Sequence, residues 1–308
     1  MITYNGSDLI LAPLAGFGDS GMRSLCFYYG AGLCFTEMVS AKGLYYKNEN
    51  TEFLTRVGKD EKYTGIQLFG SDPDIIAEVV GYDAIKNFPI IDINCGCPVP
   101  KVYKNGEGSA LLKDPELIYK IIKKLKEAAN GRLVTAKMRK GTDGQTRVIE
   151  CALAAQEGGA DMVTVHGRTR EQMYSGTVDY DVIALVKEKL KIPVCGNGDV
   201  FDRNGYLRMK QTGADYVMVA RGAIGRPYVF AEIRGEKPEY CVAELIKKHI
   251  KYIDFLPERT VVGGMKKQIA AYVKGMAGQK RIKEKIFAAE DMKELLEAVD
   301  GILPNRLT

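Results

Sequence analysis

The chain has 308 residues, 46% of them hydrophobic and 27% charged, which suits one large α/β domain with a smaller appendage. No stretch approaches the ~20 apolar residues that span a bilayer, and Met1-Ile2-Thr3-Tyr4-Asn5-Gly6 lacks the basic and apolar regions of a secretory signal. Seven scattered cysteines, two histidines and no C-x-x-C pair exclude a disulfide framework or a zinc knuckle as the organising feature, so reduced thiols, a cytoplasmic location, and neither membrane nor metal partner are expected. The formal net charge is +5, and Gly263 to Lys285 holds seven Lys and Arg against Glu284 alone, which reads as a solvated helix face or a phosphate-binding surface.

Taken in order, apolar runs of strand length occur at Leu9–Leu14, Leu33–Thr36, Thr64–Phe69, Ile90–Asn94, Leu133–Met138, Met162–His166, Ile192–Gly196 and Tyr216–Ala220. They are continuous rather than alternating, as in parallel strands covered on both faces. Helical stretches lie between them. Asp72-Pro73 and Asp114-Pro115 open two of these, the Asp capping free amides and the Pro filling the first turn. Gly131, Gly158-Gly159 and Gly213 fit helix ends before the fifth, sixth and eighth strands. Eight β/α units in about 230 residues predict a (β/α)8 TIM barrel. An open doubly wound sheet is the alternative, and no G-x-G-x-x-G follows the first strand. From Pro238 the period becomes helical, with Val242, Leu245, Ile246, His249, Ile250 and Ile253 on one face and two or three further helices to Val299. The expected division is a barrel over 1–237 and a smaller all-helical domain over 238–308.

Barrel strands end at one mouth, where active sites gather. The ends read Pro13-Leu14-Ala15-Gly16, Glu37-Met38, Gln67, Asn94 with Cys97, Lys137 with Arg139, His166 with Arg168, Asn197-Gly198-Asp199 and Ala220-Arg221-Gly222. Packing alone would place apolar residues there as often as polar ones. The last two loops are rich in glycine, which permits close approach of backbone to a ligand, and loops seven and eight of such barrels often hold phosphate. Gln67, Asn94 and Lys137 offer amides and a cation to a ring, so a phosphorylated ligand with a ring follows, and FMN is one guess. Plainer readings stand beside these. Cys97 could be a small buried residue, Lys137 a salt-bridge partner, His166 a satisfied core histidine, Glu37 half of a buried ion pair, and His249 mere packing.

Several stretches together resemble the tRNA-dihydrouridine synthases, an FMN-dependent family with a (β/α)8 barrel and a C-terminal helical domain. They are Ala12-Pro13-Leu14-Ala15-Gly16, Thr36-Glu37-Met38, Gln67-Leu68-Phe69-Gly70, Asn94-Cys95-Gly96-Cys97-Pro98 with Lys101-Val102, Gly108-Ser109-Ala110-Leu111-Leu112, Lys137-Met138-Arg139, His166-Gly167-Arg168-Thr169-Arg170, Gly196-Asn197-Gly198-Asp199, Gly225-Arg226-Pro227 and Tyr272-Val273-Lys274-Gly275-Met276. The resemblance implies that Pro13, Leu14, Ala15, Gln67, Lys137, Asn197, Gly198, Asp199, Ala220 and Arg221 bind FMN, with His166 and Arg168 near the flavin or the target base. It implies that Cys97 is the catalytic acid, that the substrate is a uridine in tRNA, and that NADPH reduces the flavin. Asn94 and Arg139 are candidates for the uracil edge. Ala220 stands where the family often has glycine, and Gln268 follows Lys266-Lys267 where it commonly has histidine.

Three competing readings remain at this point. One is a flavin barrel acting on a free pyrimidine or small enone. Another is an RNA-binding barrel without chemistry. The last is a thiol hydrolase using Cys97. The basic helical segment favours an RNA substrate, and removing residues 241–308 is expected to leave a flavin-binding barrel that holds tRNA poorly.

Overall fold

Eight parallel strands close on themselves in the computed structural model of this chain, which describes residues 2, 3 and 6–302. Part of the N-terminal segment read for a leader, and the end of the tail (303–308), lie outside the described residues. The barrel strands are β1 (Leu9–Leu11), β2 (Leu33–Ser40), β3 (Thr64–Phe69), β4 (Ile90–Cys95), β5 (Leu133–Thr142), β6 (Met162–Thr169), β7 (Val194–Asn197) and β8 (Tyr216–Val219). Each pairs in parallel with the next, and β8 pairs with β1. This is the expected (β/α)8 barrel.

The departures from the expected strand limits have local causes. β1 stops at Leu11 and β7 starts at Val194, because Pro13 and Pro193 have no N–H to give to a ladder. β5 runs on to Thr142 because Asp143 (φ 51°) and Gly144 (φ 73°) form a two-residue turn into an antiparallel arm, Gln145–Thr146. Along β1, Leu9 and Leu11 face the surrounding helices, whereas Ile10 and Ala12 face inward with Phe35, Ile90, Met162, Cys195 and Met218. That apolar plug fills the barrel below its mouth. Asp72 accepts from the Asp74 and Ile75 amides at the start of helix Pro73–Val79, and Asp114 caps helix Pro115–Ala128 through the Leu117 amide. Each fixes where a crossover helix begins.

Helices Val242–Tyr252, Glu258–Tyr272, Gln279–Ala288 and Met292–Asp300 follow. They pack around Ile246, Met265, Ile269, Ile286, Leu295 and Val299, and Leu25 and Tyr228 from the barrel part join the same core. All seven cysteines are free thiols. Among the described residues no helix is long and apolar enough to cross a membrane, and no group of three or more His, Cys, Asp and Glu could hold a metal ion.

Candidate active site at the barrel mouth

Strand register assembles the site. Gln67 pairs with Asp92, Asn94 with Lys137, Arg139 with His166, and His166 with Asn197. Partners in a parallel ladder point the same way, so residues far apart in sequence form three successive inward rows. The upper rows open on a cavity of about 500 Å³, a size that suits a cofactor or drug-sized ligand. Pro13, Leu14, Ala15, Gln67, Asn94, Cys97, Lys137, Arg139, His166, Asn197, Gly198, Asp199, Ala220 and Arg221 all line it.

Cys97 sits on the turn that follows β4, and each peptide group around it is pinned. Asn94 Oδ1 accepts from the amides of Gly96 (3.1 Å) and Cys97 (2.8 Å). The Cys97 carbonyl accepts from the Ser109 amide (3.1 Å) and hydroxyl (2.8 Å). The Gly96 carbonyl accepts from Arg139 Nε (3.0 Å). The turn therefore holds the thiol in a fixed place at the cavity wall. Burial pushes the Cys97 thiol above its ordinary range, only partly offset by the Val99 amide and by Arg139 and Lys137. At neutral pH it is a thiol carrying a proton rather than a nucleophilic thiolate.

Arg168 is the one predicted residue that does not line the cavity. It is buried behind Asp199, with both carboxylate oxygens taken at 2.9 and 2.6 Å and further bonds to the Ser175 and Gly176 carbonyls. Arg221 Nη2 shares the same carboxylate at 2.9 Å, and the Arg221 Cζ lies 4.4 Å from the centre of the Tyr174 ring. Two guanidiniums on one carboxylate leave an uncompensated positive charge beside the glycine loops, which favours an anion. Gly198 belongs to that corner. Its φ is +128°, and a Cβ there would meet Val178 Cγ2 at 2.6 Å. Asn197 Nδ2 bonds the Met218 carbonyl at 2.8 Å across the ladder. Arg139, expected near the substrate, gives two further bonds to the carbonyls of Thr169 and Met173.

Burial and neighbouring charges set the protonation of two groups on the inner wall. Burial, with Arg139 beside it, lowers Lys137 to about 8, so it is still a cation at neutral pH. Burial and the cations Lys137, Arg139, Arg168 and Arg221 lower His166 to about 2, so its imidazole is neutral and is no proton donor of the imidazolium kind.

The sequence reading passed over Asp92 and Thr135, which lie one inward step below Asn94 and Lys137. The signal was available, since Ile90, Asp92 and Asn94 share one face of a period-two strand. It also passed over Met173, Tyr174 and Phe201 at the cavity rim, which come from loops without periodicity. Glu37 accepts from the Gly16 amide on the loop after β1, and burial raises its carboxyl.

The fold and the site define a (β/α)8 barrel whose mouth carries a protonated thiol, a half-buried lysine and a cationic corner. The chain belongs to the dihydrouridine synthase family, which it matches over residues 10–306. It is 36% identical to tRNA-dihydrouridine synthase B of Proteus vulgaris over 312 residues, covering 97% of this chain and 96% of that protein. It is 37% identical to a probable tRNA-dihydrouridine synthase of Rickettsia conorii over 283 residues, covering 88% and 85%. A tRNA-dihydrouridine synthase B of Pasteurella multocida is 33% identical, covering 95% and 92%.

Proposed function

We propose that this protein reduces the C5=C6 bond of uridines in tRNA to 5,6-dihydrouridine, in the cytoplasm, with Cys97 as the catalytic acid. The observation that carries this reading is the Cys97 thiol, pinned through its backbone by Asn94 and Ser109 at the wall of a cavity that Lys137 and the Asp199–Arg221 corner also line.

The residues present fit FMN. The cavity has the size of a cofactor site, the Gly198 corner is closed to any side chain, and the donor set pairs amides with cations. Asn197, Gly198, Asp199, Ala220 and Arg221 would hold the phosphate end, and Pro13, Leu14, Ala15, Gln67, Lys137 and His166 the ring. Bound and reduced by NADPH, FMN would supply the hydride to C6 of the base. Cys97 would give its proton to C5 from the opposite face, and Lys137 would keep a positive charge against the ring. A stacked base cannot reach this depth, so the uridine must turn out of the RNA into the mouth. Asn94, Arg139 and the rim residue Tyr174 stand where its edge would enter. The barrel over 1–237 would do the chemistry, while the helical part over 238–308, with Lys266, Lys267 and Lys274 among its cations, would grip RNA phosphates.

The test is direct. Purified protein should be yellow, and with NADPH it should introduce dihydrouridine into tRNA taken from cells that lack the gene. A colourless protein, or one that reduces free uracil as readily as tRNA, would reject the reading.

A further inference from the structure

Directly beneath the Cys97 turn lies a carboxylate that the proposed chemistry does not use. Asp92 is buried on β4, with Oδ1 accepting from the Thr135 hydroxyl and Oδ2 from Gln67 Nε2, both at 2.6 Å. A carboxylate can only accept, so Gln67 must turn its NH₂ toward Asp92 and its carbonyl away. That carbonyl accepts from Asn94 Nδ2 at 2.7 Å. Asn94 must then turn its own carbonyl to the Gly96 and Cys97 amides, where it closes the turn. Reversing any one amide would set NH₂ against NH₂ or oxygen against oxygen, which in a buried network costs more than a missing bond. The polarity thus runs in one direction from the carboxylate to the backbone of the cysteine.

We propose that Asp92 is a positioning residue for Cys97, acting through Gln67 and Asn94 to fix the turn that presents the thiol. Asp92 touches neither the thiol nor the cavity. Burial raises its carboxyl to about 6, against the pull of Gln67, Thr135 and Lys137. The proposal rests on Cys97 being the proton donor, and it assigns the geometry of that donor to a residue one inward step below Asn94.

A charge exchange tests it. Asp92→Asn no longer dictates which end faces Gln67. Adding Gln67→Glu moves the carboxylate one place along: the Asn side chain donates to the Glu, and Asn94 Nδ2 still meets an oxygen. The readouts are hydrogen exchange of the Gly96 and Cys97 amides and the rate of Cys97 alkylation by iodoacetamide, each measured on the full chain by peptide mass. Alkylation of Cys26, deep in the core, reports any global unfolding. Asp92→Asn should speed both by about tenfold, the fold-change given by losing about 1.4 kcal/mol of net hydrogen bonding. The double variant should return both to within about threefold of the parent, a coupling that two independent costs would not give. No change in the single variant, or costs that add in the double, would overturn the proposal. Neither readout needs FMN or RNA. A Cys97→Ala protein with full turnover would remove the thiol's role and leave the linkage itself standing.

Discussion

Gln268 Nε2, on the helix Glu258–Tyr272, donates to the Phe17 carbonyl at 3.0 Å and to the Asp19 carboxylate at 2.6 Å, both in the loop after β1. His249, fully buried, bridges Asp19 (2.8 Å) and the Tyr272 hydroxyl (2.8 Å). The same helix presses on the loop after β8, where Gly225 (φ +71°) leaves only 2.5 Å between an added Cβ and the Ala271 carbonyl. One tail helix therefore braces two of the loops that lead into the cavity. Gln268 stands where the family commonly has histidine, and here it is buried and bonded to the barrel. His249, read from the sequence as packing, is also a hydrogen-bonded tie between the two parts.

Removing residues 241–308 should accordingly do more than weaken RNA binding. It would expose Leu25 and Tyr228, leave Asp19 without two of its partners, and free the Phe17 loop. The truncated chain is expected to be poorly soluble, or to bind FMN at least tenfold more weakly, since leaving buried donors and acceptors unpaired costs roughly 1–3 kcal/mol each. A soluble truncated protein with parental FMN affinity, measured by fluorescence titration, would refute this.

Replacing Cys97 by Ala should preserve the fold and the flavin, because the turn is held by backbone groups that alanine keeps. Turnover on tRNA should fall by about 10²–10⁴-fold, the range for a lost general acid. Single-turnover oxidation of the reduced flavin by tRNA is the cleanest measurement. Substantial remaining turnover would point to Lys137 as the proton source.

Turnover should depend on pH through two groups of opposite sign. Lys137, lowered by burial to about 8, loses its charge as pH rises through that value, so activity should decline on the alkaline side. Asp92, raised by burial to about 6, takes up a proton as pH falls through that value and then can no longer accept from both donors, so activity should decline on the acid side. A plot of kcat/KM against pH should show a plateau between the two, and Asp92→Asn should abolish the acid limb alone.

The linkage to stability differs from the effect on activity. Asp92 in the folded chain binds its proton at about 6 and in the unfolded chain near 3.8, so this group favours the fold more as pH falls from 6 toward 4. Asp19 works the other way. Burial opposes its charge, but His249, the Met22 amide and Gln268 outweigh that and hold it at about 2, so its contribution is present above 3.8 and is lost as pH falls toward 2. Urea midpoints for Asp92→Asn and Asp19→Asn between pH 2 and 7 separate the two, the first variant losing the rise of its parent from pH 6 to 4 and the second its fall below 3.8.

Gly198→Ala should cost about 1–3 kcal/mol of stability, since it forces a side chain into a backbone region that L residues rarely adopt and against Val178. It should also weaken phosphate-end binding of FMN far more than that of riboflavin, which lacks the phosphate. Equal losses for the two ligands would mean that the anion site lies elsewhere.

Much of this protein was legible in the sequence because each signal is local. The eight apolar runs announced a barrel, Asp72-Pro73 and Asp114-Pro115 marked two helix starts, and a polar residue at nearly every strand end marked the mouth. What stayed hidden was direction and partnership. Arg168 and Arg221 look alike as strand-end arginines, yet one lies behind Asp199 and the other lines the cavity. Asn94 lines the cavity, and its oxygen also closes the Cys97 turn, which no strand pattern reveals.

The order of the residues alone determined the periodicities, and with them the kind of fold, the place of the thiol after β4 and the glycine loops after β7 and β8. Only the closed barrel decided which side chains share a layer, because strand register sets neighbours that lie tens of residues apart. It also decided which protons stay on, since charge states at Cys97, Lys137, His166 and Asp92 follow from burial and from neighbours that no linear pattern can supply.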